Sequence, residues 1–110
     1  MATTAYLDID QGSDFTSEMT LENDDGTPMS LLGFNIRSQF RKSYNASIGY
    51  DFIATITDAL QGKFTLSLPG MTSSNIKPGR YLYDVEIYNN AAKTRVVEGV
   101  IAINPEITKI

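Results

Sequence analysis

An all-β domain is the fold class this sequence predicts, a single sandwich of about seven antiparallel strands with at most one short helical turn. Three observations carry that expectation. Apolar and polar residues alternate with period two over several short runs that end at Gly, Pro, Asn or Asp, the spacing that buries one face of a sheet. A rigid Pro78-Gly79 corner stands between apolar Ile76 and aromatic Tyr81. In two-sheet sandwiches of the immunoglobulin-like kind such a corner places a ring inward and returns its hydroxyl to nearby backbone. Finally, 110 residues, 42% of them hydrophobic, make one domain with one core, spanning residues 1–110.

Taken in order, residues 1–5 are small and polar and are expected as a flexible or partner-bound tail. Residues 6–10 alternate Leu7 and Ile9 against Asp8 and Asp10, a short strand at a sheet edge. Gln11-Gly12-Ser13-Asp14 has turn chemistry. Residues 15–22 form a clean strand with Phe15, Ser17, Met19 and Leu21 on one face. The Asp25-Gly26 pair marks a loop, and Met29, Leu31 and Leu32 are expected to close one end of the core. Residues 34–41 alternate again, with Phe34, Ile36, Ser38 and Phe40 inward and Arg37 and Arg41 outward.

Residues 42–49 are the least regular stretch and the best loop for touching a partner. Residues 51–57 read as one strand with Phe52, Ala54 and Ile56 inward, pairing as a hairpin with the strand at 64–68. Residues 71–76 suit a single helical turn between sheets. The strand at 80–88 carries Tyr81, Tyr83, Val85 and Ile87 on one face and is apolar on parts of the other, which predicts a central position. The strand at 93–103 slips in pattern at Glu98-Gly99, where a bulge is expected. Residues 106–110 are a second tail.

Composition excludes several function classes. Histidine and cysteine are both absent, so the usual Ser-His and Cys-His pairs cannot form, and zinc and most redox-metal sites lose their common ligands. Lack of a disulfide framework suits folding in a reducing cytoplasm. Nine basic and thirteen acidic residues leave a net charge of −4, which works against nucleic acid as a partner. No apolar run is long enough to cross a membrane, and the start of the chain shows no secretory signal.

Candidate chemistry falls at four places. Asp8, Asp10 and Asp14, or Asp24 and Asp25, could supply oxygens to calcium, but the full loop pattern of such sites is missing and turn-forming aspartates are the simpler reading. Asp84 and Glu86 share a strand face at about 7 Å, a spacing compatible with a glycosidase pair. Partnership with Arg37, Arg41, Arg80 or Arg95 is the simpler role. Ser43, Ser47, Ser73 and Ser74 lack any nucleophile elbow. Arg37, Arg41, Lys42 and Tyr44 form a basic, aromatic patch and are the candidate protein interface, since Arg and Tyr are enriched at hot spots. Pro78, Gly79 and Tyr81 are the structural corner. The residues suggest no catalytic, cofactor-binding or metal site, and no small-molecule substrate.

An ordered series of short motifs runs along nearly the whole chain. It comprises Asp10-Gln11-Gly12-Ser13-Asp14-Phe15, Leu21 with Asp24-Asp25-Gly26-Thr27-Pro28, and Leu31-Leu32-Gly33-Phe34 leading to Ile36-Arg37 and Arg41-Lys42. It continues through residues 62–68 and 78–87 to Thr94-Arg95-Val96-Val97-Glu98-Gly99 and Pro105-Glu106-Ile107-Thr108. This order resembles small structural proteins of tailed bacteriophages and the amino-terminal domains of phage baseplate proteins. The resemblance implies a non-enzymatic virion component, present in many copies and bound to neighbouring virion proteins at the tail or baseplate. Decoration of the capsid is the alternative, followed by a carbohydrate-binding adhesion module. A sandwich of this size serves too many functions for fold to choose among them.

Overall fold

The computed structural model describes residues 3–108, and within them the chain is an all-β sandwich. Nine strands form, β1 (Thr3–Thr4), β2 (Leu7–Asp10), β3 (Phe15–Thr20), β4 (Asn35–Arg41), β5 (Gly49–Asp51), β6 (Ile53–Asp58), β7 (Lys63–Leu68), β8 (Gly79–Tyr88) and β9 (Lys93–Asn104). One helical turn, α1 (Gly70–Ser73), joins β7 to β8. The larger sheet has the order β1-β9-β8-β4-β5, with β2 also on β9, and the smaller has the order β3-β7-β6. Central β8 explains why its sequence is apolar on parts of both faces.

Between the layers lies a core whose fully buried members include Phe40, Phe64, Leu66, Val85 and Ile101. The first four are inward-facing positions expected from the alternation. Rings of Phe40, Tyr50, Phe52 and Tyr81 meet one another at centroid distances of 4.9 to 6.2 Å, where tilted and edge-on aromatic pairs are favourable. Tyr81 forms the corner as expected: its hydroxyl donates to the Lys77 carbonyl at 2.6 Å. Pro78 fixes the approach and Gly79 takes φ +144°, in the region that favours glycine.

The Gln11-Gly12-Ser13-Asp14 turn has a structural role. Gly70 N–H donates to Asp14 Oδ1 at 2.7 Å, and Gly12 N–H donates to the buried Ser73 hydroxyl at 3.0 Å. The Gln11 amide donates to the Ile76 carbonyl and accepts from the Glu106 N–H, both at 3.0 Å. One turn therefore anchors α1 and the start of the C-terminal tail, satisfying backbone groups that a one-turn helix leaves open.

Several expectations are corrected. The two N-terminal strands run parallel to β9, not antiparallel, with Thr3 opposite Val97 and Leu7 opposite Ile101. Thr3 to Ala5 are thus paired to a strand, where a loose tail was expected; residues 1–2 and 109–110 of the two expected tails lie outside the described residues. The stretch expected as one strand at 51–57 divides at Phe52: β5 pairs with β4 in the larger sheet, and β6 pairs with β7 in the smaller. Phe52 N–H donates to the Ser38 carbonyl at 3.0 Å at this crossing, while its ring enters the core. Leu32 is 61% exposed; it occupies the turn before Gly33, so buried Leu31 closes that end of the core with half-buried Met29 packed against it. The bulge of β9 is at Val96, since Val85 faces Val97 but Glu86 faces Arg95.

Candidate functional site

The displaced bulge builds the most distinctive surface of the molecule. On a regular strand Arg95 would share the inward face of Val97. The extra residue Val96 turns Arg95 to the outside, leaving Val96 and Val97 both buried. Three cross-strand rows then lie on the outer face of the larger sheet: Arg37, Glu86 and Arg95; Gln39, Asp84 and Glu98; Arg41, Leu82 and Val100. Together with the loop carrying Ser43 and Tyr44, they line a concavity of about 630 Å³.

Its charges are interlocked. Arg37 Nε meets Glu86 Oε1 at 3.0 Å, and Arg95 bridges Asp84 Oδ2 and Glu98 Oε2 at 3.1 Å each. The Arg37 guanidinium also sits 4.4 Å from the centre of the Tyr88 ring, a cation–π contact. Arg41 donates to the Ala46 carbonyl at 2.9 Å and to Gln39, whose amide donates to Asp51 at 2.7 Å. Gly49 lets the Arg41 guanidinium lie across the backbone, because a Cβ there would stand 2.8 Å from its central carbon.

Burial pushes the Asp84 carboxyl above the usual carboxylate range, and the neighbouring Arg95 guanidinium opposes that rise. The Glu98 hydrogen bond, followed by the Asp84 charge, raises Arg95 above its ordinary value. Asp84 and Glu86 are each bonded to an arginine, the role that the sequence reading favoured over a glycosidase pair. The face offers a rigid pattern of fixed charges and one protruding ring, since Tyr44 is 77% exposed.

Of the four residues expected at an interface, Arg37, Arg41 and Tyr44 line this concavity. Lys42 does not. It continues the inward parity of Phe40, and its Nζ lies 4.8 Å from the centre of the Tyr81 ring, over the corner. Arg95 and Glu98 were absent from the expected interface; the consecutive valines at 96 and 97 are the signal that alternation breaks there. Other candidates resolve into local structure. Asp25 accepts from both the N–H and the hydroxyl of Thr27, which hold its carboxyl below the usual range, and Asp10 accepts from Asn104. Among the described residues, no three acidic side chains converge on a metal-sized site. No described helix is long and apolar enough to cross a membrane.

No protein-family model matches the chain, and no curated protein matches it. Among solved structures, it is similar to Listeria monocytogenes InlP at 15% identity and a TM-score of 0.48, over 94% of this chain and 28% of that one. It is also similar to a family 123 glycoside hydrolase from Clostridium perfringens, analysed for glycolipid glycan hydrolysis, at 12% identity and a TM-score of 0.44, over 98% of this chain and 24% of that one. The chain therefore spans about a quarter of the length of each.

Proposed function

We propose that this chain is a non-enzymatic structural component that binds neighbouring proteins in a multi-copy assembly through the concave outer face of β4, β8 and β9. The assembly is a tailed-phage particle, and attachment is at its tail or baseplate. One observation carries the binding reading: a bulge at Val96 places Arg95 beside Arg37, Arg41 and Tyr44 on a single face whose acids are already paired. Arginine and tyrosine are the residue types that anchor interfaces, and a prearranged charge pattern gives a partner orientation and a fast encounter. The phage setting is supported by the ordered motif series from residues 10–15 to 105–108. The non-enzymatic reading is supported by a sequence without histidine or cysteine and by carboxylates bonded to guanidinium groups.

Mass spectrometry of purified particles tests the setting, and separation of heads from tails before detection tests the location. Absence from particles ends the virion reading, and recovery with heads replaces attachment at the tail by capsid decoration. Arg37→Glu and Arg95→Glu are expected to abolish co-purification with the particle while each protein still melts cooperatively. Retention of both variants would show that another surface binds.

A further inference from the structure

Four strands with free edges besides the two-residue β1 are present among the described residues, and they are not equally protected. Proteins guard exposed edges with charge, proline, short length or bulges, because an unguarded edge pairs with other chains. Strand β2 carries Asp8 and Asp10, β3 carries Glu18 in its middle, and β5 is three residues long with Asp51 at its end. Strand β6 differs. Its first five residues, Ile53-Ala54-Thr55-Ile56-Thr57, hold no charge, proline or glycine, and its irregularity is confined to the far end, where Thr57 is the extra residue between Ile56 and the one acid, Asp58. Four of the five are β-branched, the composition that pairs most readily.

The flank beneath this edge is also incompletely closed. Strand β5 covers β4 only from Gln39 to Arg41. Inward-facing Ile36 on β4, and Ala54 and Ile56 on β6, pack on the core yet remain only half-buried. Ile53, on the outer side of β6, is 54% exposed. An apolar strip thus runs beside a free row of backbone donors and acceptors.

We propose that β6 is a self-association edge, whose occupant is β6 of a second copy of this chain, paired antiparallel about a two-fold axis at Thr55. The sequence is its own complement in that register. Thr55 faces Thr55 of the second copy, Ile53 faces Thr57 on the outer side, and small Ala54 faces large Ile56 on the inner side. No like charges oppose one another, because Asp58 falls opposite Phe52. Cross-strand pairs of this kind stabilise a ladder, and a two-fold interface uses the same patch on both partners. The two small sheets become one six-stranded sheet, and each copy's inner row extends the apolar strip of the other. This association is independent of the concave face, which belongs to the opposite layer.

The axis position supplies its own test. Residue 55 meets itself, so Thr55→Lys alone and Thr55→Glu alone each place like charges in contact, whereas an equimolar mixture places opposite charges there. Sedimentation equilibrium of the wild-type protein up to about 1 mM is expected to show reversible dimers. Each variant should weaken dimerisation by about tenfold or more, and the mixture should restore it as a heterodimer. Thermal melts confirm that each variant is folded, as expected for an exposed outer position. A wild-type protein that stays monomeric, or a dimer indifferent to both variants, overturns the proposal. Weakening by both variants without recovery in the mixture overturns the two-fold register.

Discussion

Tyr81 and Tyr83 stand two positions apart on one strand, and both hydroxyls donate to backbone carbonyls, Tyr81 within its own corner and Tyr83 to the far end of the chain. Tyr81→Phe removes the bond to the Lys77 carbonyl and is expected to cost about 1 kcal/mol in chemical denaturation; an unchanged midpoint would deny the corner its energetic role. Tyr83 donates to the Ala5 carbonyl at 2.9 Å, and burial pushes its phenol up to about 12. Because the unfolded phenol ionises near 10, the folded state holds its proton longer. The associated stability is complete below pH 10 and is lost as pH rises through about 12, which denaturation across that window measures. For Asp84 the same sign applies in acid: its contribution is fully present below the ordinary carboxylate value and lost as pH rises through the elevated one. Arg95→Met should raise the Asp84 value further, as read by carbon-detected NMR titration. A downward shift would mean that the guanidinium does not stabilise the carboxylate. The corner was readable from the sequence because proline, glycine and tyrosine act within six residues. The partners of Arg95 were readable only as a set of acids, since the choice depends on register.

At the scale of elements, period-two patterning located most strands and their inward faces, including the Phe52, Ala54 and Ile56 set. What it could not reveal was a change of sheet within an unbroken pattern. Residues 49–58 keep alternating while the chain crosses at Phe52, because crossing layers needs only one residue whose ring stays in the core. The parallel pairing of β2 was likewise hidden, since alternation is the same for either direction. The bulge was expected on the right strand but at Glu98-Gly99, two to three residues late. Gly99, whose residue type suggested it, has another reason to be glycine: the Ala5 carbonyl packs where its Cβ would stand. Gly99→Ala should therefore push β1 away from β9, costing about 1 to 3 kcal/mol. Hydrogen exchange should show early loss of protection at Ala5, whose N–H donates to the Glu98 carbonyl at 3.0 Å. Protection equal to that of the parent protein would contradict this account.

Across the whole molecule, stability rests on one interior without covalent cross-links, since no cysteine is present. Phe64 is wholly buried near the start of β7, and Phe64→Ala should cost about 3 to 5 kcal/mol by denaturant titration; a loss under 1 kcal/mol would place the ring outside the main core. The candidate face was legible in part, because Arg37, Arg41 and Tyr44 follow from outward parity and loop position. Lys42 was misplaced because strand parity continues one residue past β4. The remaining members required knowledge of how β8 and β9 align.

Strands β2 and β9 lie side by side pointing the same way, with Leu7 opposite Ile101 and Asp10 opposite Asn104. A tug on the backbone ahead of Thr3 and another on the backbone beyond Asn104 would therefore drag these neighbours past each other lengthwise. Every rung of that ladder would have to give at once rather than peel open in turn. The domain should consequently resist stretching better than its modest size suggests, and single-molecule extension should find its rupture force lowered when Ile9→Pro deletes a rung.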